Sequence, residues 1–194
     1  MSGLDLDYHL QAATRAFYTN KSLLTDKHTS AVHRLLYFDR VISPVALFGI
    51  AHEVLHKHDL HKLDVHFRKL ARIAVGVPGG VDWSLPWHEV LHVWHERLSH
   101  FQDIAKVSTW SVVALHRYWF FASYVATLPE TRLLKRILHW KPTGTRKQGR
   151  PRSQWADRVQ RFCEENNLGN WYDAAQDRKA WSSIVDDFVT QSLF

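Results

Sequence analysis

Asp59-Leu60-His61-Lys62-Leu63-Asp64-Val65-His66-Phe67-Arg68-Lys69-Leu70-Ala71-Arg72-Ile73-Ala74-Val75-Gly76 is the stretch from which the fold can be read. Leu60, Leu63, Phe67, Leu70, Ala71 and Ala74 recur every three or four residues, which places them on one side of an α-helix. The other side carries Lys62, His66, Arg68, Lys69 and Arg72. Asp59 is expected to cap the start, and Gly76-Val77-Pro78-Gly79-Gly80 to end it. A helix with one apolar and one cationic face has to pack on other helices and leave its charge in water.

The same period extends outward in both directions. Leu6, Leu10, Ala13 and Phe17 form one face of a helix running from Leu4 to near Asn20. Thr29 or Ser30 can cap a second, carrying Val32, Leu35, Leu36 and Tyr37, which Pro44 interrupts. Val45 to Leu55 is apolar nearly all round and is expected to continue as a buried helix kinked at Pro44. Downstream, Ser84 and Pro86 open a helix with Trp87, Val90, Leu91, Trp94, Leu98 and Phe101 on one side, and Thr109 precedes an aromatic helix from Trp110 to Ala126. Thr127-Leu128-Pro129-Glu130 has the pattern of a capping box. The helix it opens is expected to bury Leu133, Leu134 and Ile137 and to turn Arg132, Lys135 and Arg136 outward. Trp155, Val159 and Phe162 make a further stripe that Gly169 breaks, and Trp181, Ile184, Val185 and Phe188 a last one. Alternation with a period of two is sustained nowhere, so the expected class is all-α. The glycine-rich joint suggests two modules, 1–76 and a tryptophan-rich 77–194.

Composition narrows the function. With 45% hydrophobic residues in 194, the chain can bury a core. Its single cysteine, Cys163, excludes a disulfide framework and a thiolate zinc finger and fits an intracellular setting, the nucleus included. The N-terminal residues read as neither a signal peptide nor an anchor, and no apolar run approaches a membrane span, so no membrane partner is expected.

Charge is distributed unevenly. Between Arg132 and Arg158 there are nine lysines and arginines and one acid, Asp157, a balance of +8 in a chain of +6, leaving the remainder at −2. At its centre, 141–152 is a basic loop rich in glycine and proline, with no aliphatic side chain between Trp140 and Trp155. Trp155 and Trp181 are expected to pack together and close it. Charge of one sign gathered on one element is the footprint of a polyanion contact. The residues expected to meet RNA or DNA, through phosphates and with little sequence preference, are Arg132, Lys135, Arg136, Lys141, Arg146, Lys147, Arg150 and Arg152. Lys62, Arg68, Lys69 and Arg72 offer a second surface, and no cofactor is expected.

A competing chemistry is written twice. His52-Glu53-Val54-Leu55-His56 and His88-Glu89-Val90-Leu91-His92 both read HExxH, which on a helix sets two imidazoles one turn apart to share a zinc ion. A zinc hydrolase would hold metal with His52 and His56 or with His88 and His92. Fourteen histidines produce such spacings by composition, however, and neither copy has a defined third ligand.

In order, Tyr37 to Gly49, Leu63 to Gly76, Leu138-His139-Trp140-Lys141-Pro142, Gly149-Arg150-Pro151-Arg152-Ser153-Gln154-Trp155 and Ala175-Gln176-Asp177-Arg178-Lys179-Ala180-Trp181 resemble successive pieces of the polyprotein of non-LTR (LINE-type) retrotransposons, in the part that follows the reverse transcriptase palm. The last two look like that family's tail, GRP and a tryptophan followed by A-x-DR-x-x-W. The resemblance implies a thumb-like module that grips a template-primer duplex and a C-terminal segment that binds element RNA or target DNA. Palm and endonuclease are not within these residues, so it also implies no polymerase or nuclease activity for this chain alone. A decayed, non-functional copy of such an element is the remaining alternative.

Overall fold

The computed structural model describes residues 4–77, 79, 81–139 and 154–193. Among them every regular element is helical and there is no strand, as the periodicity requires. The chain forms two compact units, Met1–Phe48 with Leu55–Val113 and Gly49–Val54 with Ala114–Phe194. The glycine joint at 76–80 therefore falls within the first unit.

That unit contains α1 (Leu4–Thr19), α2 (Lys21–Leu24), α3 (Ala31–Val41), α4 (Ser43–Ala46), α5 (Lys57–Val75) and α6 (Trp87–Ala105). The α5 stripe decides how they pack. Leu60, Leu63, Phe67, Leu70, Ala71 and Ala74 are all buried, and α5 lies against α1, α3 and α6. Phe38 of α3 stacks on Trp110 at 6.0 Å and meets Phe67 edge-on at 5.7 Å. The indole N–H of Trp110, buried here, donates to Ser43 Oγ at 2.8 Å, meeting the need of a polar tip in an apolar core.

Several helix ends differ from expectation for local reasons. Ser30 caps α3 as predicted, accepting from the His33 backbone N–H. His56, not Asp59, caps α5; Asp59 stands three residues on and returns its carboxylate to the His56 N–H at 2.9 Å, completing a capping box. Val45 to Leu55 is not a kinked helix. α4 stops at Ala46, Gly49 takes a left-handed φ of 68°, Ile50–His52 forms one 3₁₀ turn, and Glu53 is extended.

α7 (Trp110–Ala126) starts in the first unit, where Asp64 of α5 accepts from the Ser111 N–H at 3.0 Å and its hydroxyl at 2.7 Å. A carboxylate on the first turn satisfies orphan amides and complements the helix dipole. α7 continues into the second unit, which also holds α8 (Leu133–His139), α9 (Asp157–Glu165), α10 (Trp171–Ala174), α11 (Arg178–Ser183) and α12 (Val185–Leu193). Trp119 and Trp181 lie face to face with centroids 3.7 Å apart. Each indole N–H donates to the other residue's carbonyl, at 2.8 and 3.0 Å, and Phe162 and Phe188 close the cluster. Trp181 thus pairs with Trp119 and not with Trp155. Trp155 packs instead on Tyr118, Phe121 and Trp171 and donates its N–H to the Ala51 carbonyl at 2.9 Å.

Thr127 to Glu130 does not open a helix either. Thr127 closes α7, its hydroxyl donating to the Ser123 carbonyl at 3.0 Å, and α8 begins only at Leu133. The stripe ending at Phe188 is divided at Ile184 into α11 and α12.

Trp181→Ala is expected to cost about 3–5 kcal/mol, the range for removing a buried indole. Trp181→Phe, which keeps a ring but gives up one of the two reciprocal bonds, is expected to cost about 1–2 kcal/mol. Cys163 reports on the outcome: buried, with Glu164 beside it, its thiol is pushed up to about 11 and stays unreactive until the second unit opens. Thiol labelling across a urea series should show both variants exposing Cys163 at lower urea than the wild type. A Trp181→Ala variant that labels at the wild-type midpoint would remove the indole pair from the core's energetics.

Candidate nucleic-acid interface

The outward cations of α5 are not equivalent. Lys62 forms an ion pair with Asp7 of α1. Arg72 turns its Nε–H onto the Arg68 carbonyl at 3.1 Å and sets its guanidinium over the Trp94 ring, 5.9 Å from the centroid. Trp94 in turn donates its indole N–H to the Arg72 carbonyl at 3.0 Å, fastening α6 to the end of α5. Arg68 is half-buried and Lys69 exposed. Among the described residues no acid lies within ion-pairing distance of Arg68, Lys69 or Arg72.

His95 of α6 stands in their field. Burial, then Arg68, Arg72 and His92, hold its protonation below the ordinary histidine range. His66 is lowered likewise by burial and by Lys69 and Lys62, with its ring 3.4 Å from Thr14 Oγ1. Burial and Arg68 also lower Arg72. Groups of one sign that disfavour each other's charge relax when an anion arrives. Chemically, the α5–α6 face offers guanidinium and ammonium donors without counter-ions beside a large indole, a combination suited to phosphate. Trp94 and His95 were missed as site residues because the helical period assigns Trp94 to the core stripe and gives His95 no partner in sequence.

The C-terminal window is less uniform than its charge total. Arg132 and Arg136 are exposed, as expected. Lys135 is not; it is 2% exposed and donates to the Ala126 carbonyl at 2.7 Å, with Glu130 at 3.5 Å and the Tyr172 ring at 4.4 Å. Conversely Leu133 is 67% and Ile137 56% exposed, so α8 shows the reverse of the face predicted for it. Its lysine reaches back to satisfy the end of α7, which turns the rest of the short helix outward. Lys141, Arg146, Lys147, Arg150 and Arg152 lie outside the described residues.

The HExxH readings divide. His52 ends a 3₁₀ turn and His56 caps α5, with extended backbone at Glu53 between them, so the first copy lacks the helix that the metal geometry needs. His88 and His92 do lie on α6, one turn apart, but are 81% and 71% exposed and face Glu89 at 3.9 Å and Glu96 at 3.7 Å. Among the described residues none of the four belongs to a group of three side chains that could close on a metal ion.

A pH dependence follows from His66 and His95. Both bind a proton less readily folded than unfolded, so their contribution to stability is complete above the unfolded value of about 6.5 and is lost as pH falls through the lower folded values. Melting temperature should therefore decline below about pH 6.5, and His66→Gln with His95→Gln should flatten that decline. An unchanged slope in the double variant would contradict the assignment.

Compared with family models, curated proteins and solved structures, the chain matches none.

Proposed function

We propose that this chain is a nucleic-acid-binding protein that holds RNA or DNA by its phosphates and performs no chemistry alone. The observation that carries this reading is the group of cations on α5 that have no acidic partner among the described residues, Arg68, Lys69 and Arg72, beside Trp94 and His95 of α6. A protein has no structural need to collect unpaired like charges on one face, whereas a polyanion supplies the missing counter-charge. Arg132 and Arg136 of the second unit are also exposed, and the sequence that follows α8 is rich in lysine and arginine.

The proposal extends to the thumb and post-palm region of a LINE-type reverse transcriptase. Support comes from the jobs that the motif residues do. Asp177 caps α11 through the Lys179 and Ala180 N–H groups, Arg178 donates to Thr127 Oγ1 at 2.9 Å, Ala175 accepts from Ser123 Oγ, and Trp181 pairs with Trp119. A pattern in which each residue builds the fold is the kind that a family of related folds would share.

Fluorescence anisotropy with a labelled duplex at two salt concentrations tests the function. Arg68→Gln with Lys69→Gln removes two phosphate contacts and should flatten the slope of log K against log salt by roughly 1.8. Replacing Arg146, Lys147, Arg150 and Arg152 with glutamine should flatten it by roughly 3.6 if all four reach phosphates. Salt-independent binding, or both variants binding like the wild type, would refute the reading.

A further inference from the structure

Two tryptophans of the first unit lie in solvent. Trp83, in the connection between α5 and α6, is 64% exposed, and Trp87, the first residue of α6, is 60% exposed. Among the described residues neither indole N–H has a hydrogen-bond partner and neither ring meets another ring or a cation. By helical period Trp87 belongs to the row of Val90, Trp94 and Leu98, which are buried or half-buried. Unlike them it stands clear of the neighbouring helices. The acids nearest in sequence are engaged: Asp82 accepts from the Ser84 N–H at 2.8 Å and its hydroxyl at 2.6 Å, and Glu89 faces His88 at 3.9 Å.

An indole left in water contributes little to a fold, and two of them four positions apart call for a flat apolar ligand. What lies beside them fixes its chemistry. Trp87 and Trp94 are seven residues apart on α6, two turns, so their side chains leave the same side of the helix about 10 Å apart along its axis. Trp94 is the ring over which the Arg72 guanidinium sits, and its N–H is held on the Arg72 carbonyl. Arg68 lies one turn back along α5. The cations without acidic partners are therefore separated from an exposed indole by about 10 Å along α6, the rise of about three stacked nucleotides. An apolar partner would cover the rings and leave the cations unanswered. A nucleic-acid strand answers both, with phosphate to cation and base to indole. A duplex keeps its bases stacked within itself, so only an unpaired base can lie on an indole.

We propose that Trp87, with Trp83 as its neighbour, is a stacking platform for unpaired bases, and that the nucleic acid held by the α5 cations is single-stranded. The assignment rests on the nucleic-acid reading above and narrows it: phosphates lie on Arg68, Lys69 and Arg72, and the bases that follow lie on the exposed indoles. Every base has a π-face, so the preference is for unpaired over paired strands and not for a sequence.

The test is fluorescence anisotropy of the full chain with three labelled probes of equal length: an oligothymidylate, a duplex, and an abasic strand that keeps only the sugar-phosphate backbone. The proteins are the wild type, Trp87→Ala and Trp87→Phe. Trp87 is exposed, so its truncation leaves the core intact. Trp87→Ala should weaken oligothymidylate binding about tenfold, and Trp87→Phe, which keeps a ring, should retain most of the affinity. Neither change should alter binding of the duplex or the abasic strand. The slope of log K against log salt should also stay as in the wild type, because no charge is removed. Equal oligothymidylate affinity in the wild type and Trp87→Ala overturns the platform, and so does an equal loss on all three probes, which marks a structural role. In both cases salt-dependent binding by the wild type leaves the nucleic-acid reading standing. A wild type that binds none of the probes, or binds them independently of salt, defeats that reading and the platform with it. Sedimentation of the same proteins covers the other occupant: a wild-type dimer that Trp87→Ala converts to monomer assigns the indole to a second copy of the chain and overturns the proposal.

Discussion

The last carbonyls of a helix have no partner within it, and inside a protein each must find a donor or cost free energy. α7 shows how completely this constraint is met. The Ser123 carbonyl takes the Thr127 N–H and hydroxyl, Tyr124 takes the same hydroxyl, Val125 takes the Leu128 N–H, and Ala126 takes Lys135 Nζ and Gln176 Nε2. α5 ends in the same manner, with the Gly76 N–H and the Trp94 indole on Arg72 and the Arg34 guanidinium on Val75. Several of these donors come from other elements: Arg34 of α3 and Trp94 of α6 at the end of α5, and Lys135 of α8 at the end of α7.

Charge has three fates in this chain. Arg34 and Lys135 are used as donors to helix ends, where a cation also complements the dipole. Lys62 is matched by Asp7. Arg68, Lys69 and Arg72, where α5 meets α6, have no counter-ion among the described residues, and after burial it is Arg68 and Arg72 that lower the protonation of His95. A total of charges along the sequence cannot separate these fates, because a lysine that caps a helix and a lysine that meets solvent count alike.

The helical class, the α5 stripe and the cap at Ser30 were legible because each depends on residues within one turn of one another. The cationic face of α5 was legible for the same reason. What failed depends on partners far along the chain. Periodicity puts Leu133, Leu134 and Ile137 on one face of α8 but cannot say which face turns inward, and the reach of Lys135 to Ala126 decides it. The pairing of Trp181 with Trp119 spans 62 positions, and Trp155 was no worse a candidate by composition. The left-handed turn at Gly49 ended a helix that the apolar run from Val45 would have continued, and with it the first HExxH lost its geometry.

The account stands on phosphate reaching the arginines of the α5–α6 face. Nuclear magnetic resonance of ¹⁵N-labelled protein resolves arginine Nε–H groups one by one, and these signals move when the fork accepts an oxyanion. On titration with a short single-stranded RNA at low salt, the Nε–H signal of Arg68 should shift and saturate, while that of Arg178, engaged with Thr127 in the second unit, should stay in place. Saturated RNA binding with the Arg68 signal unmoved would contradict the account.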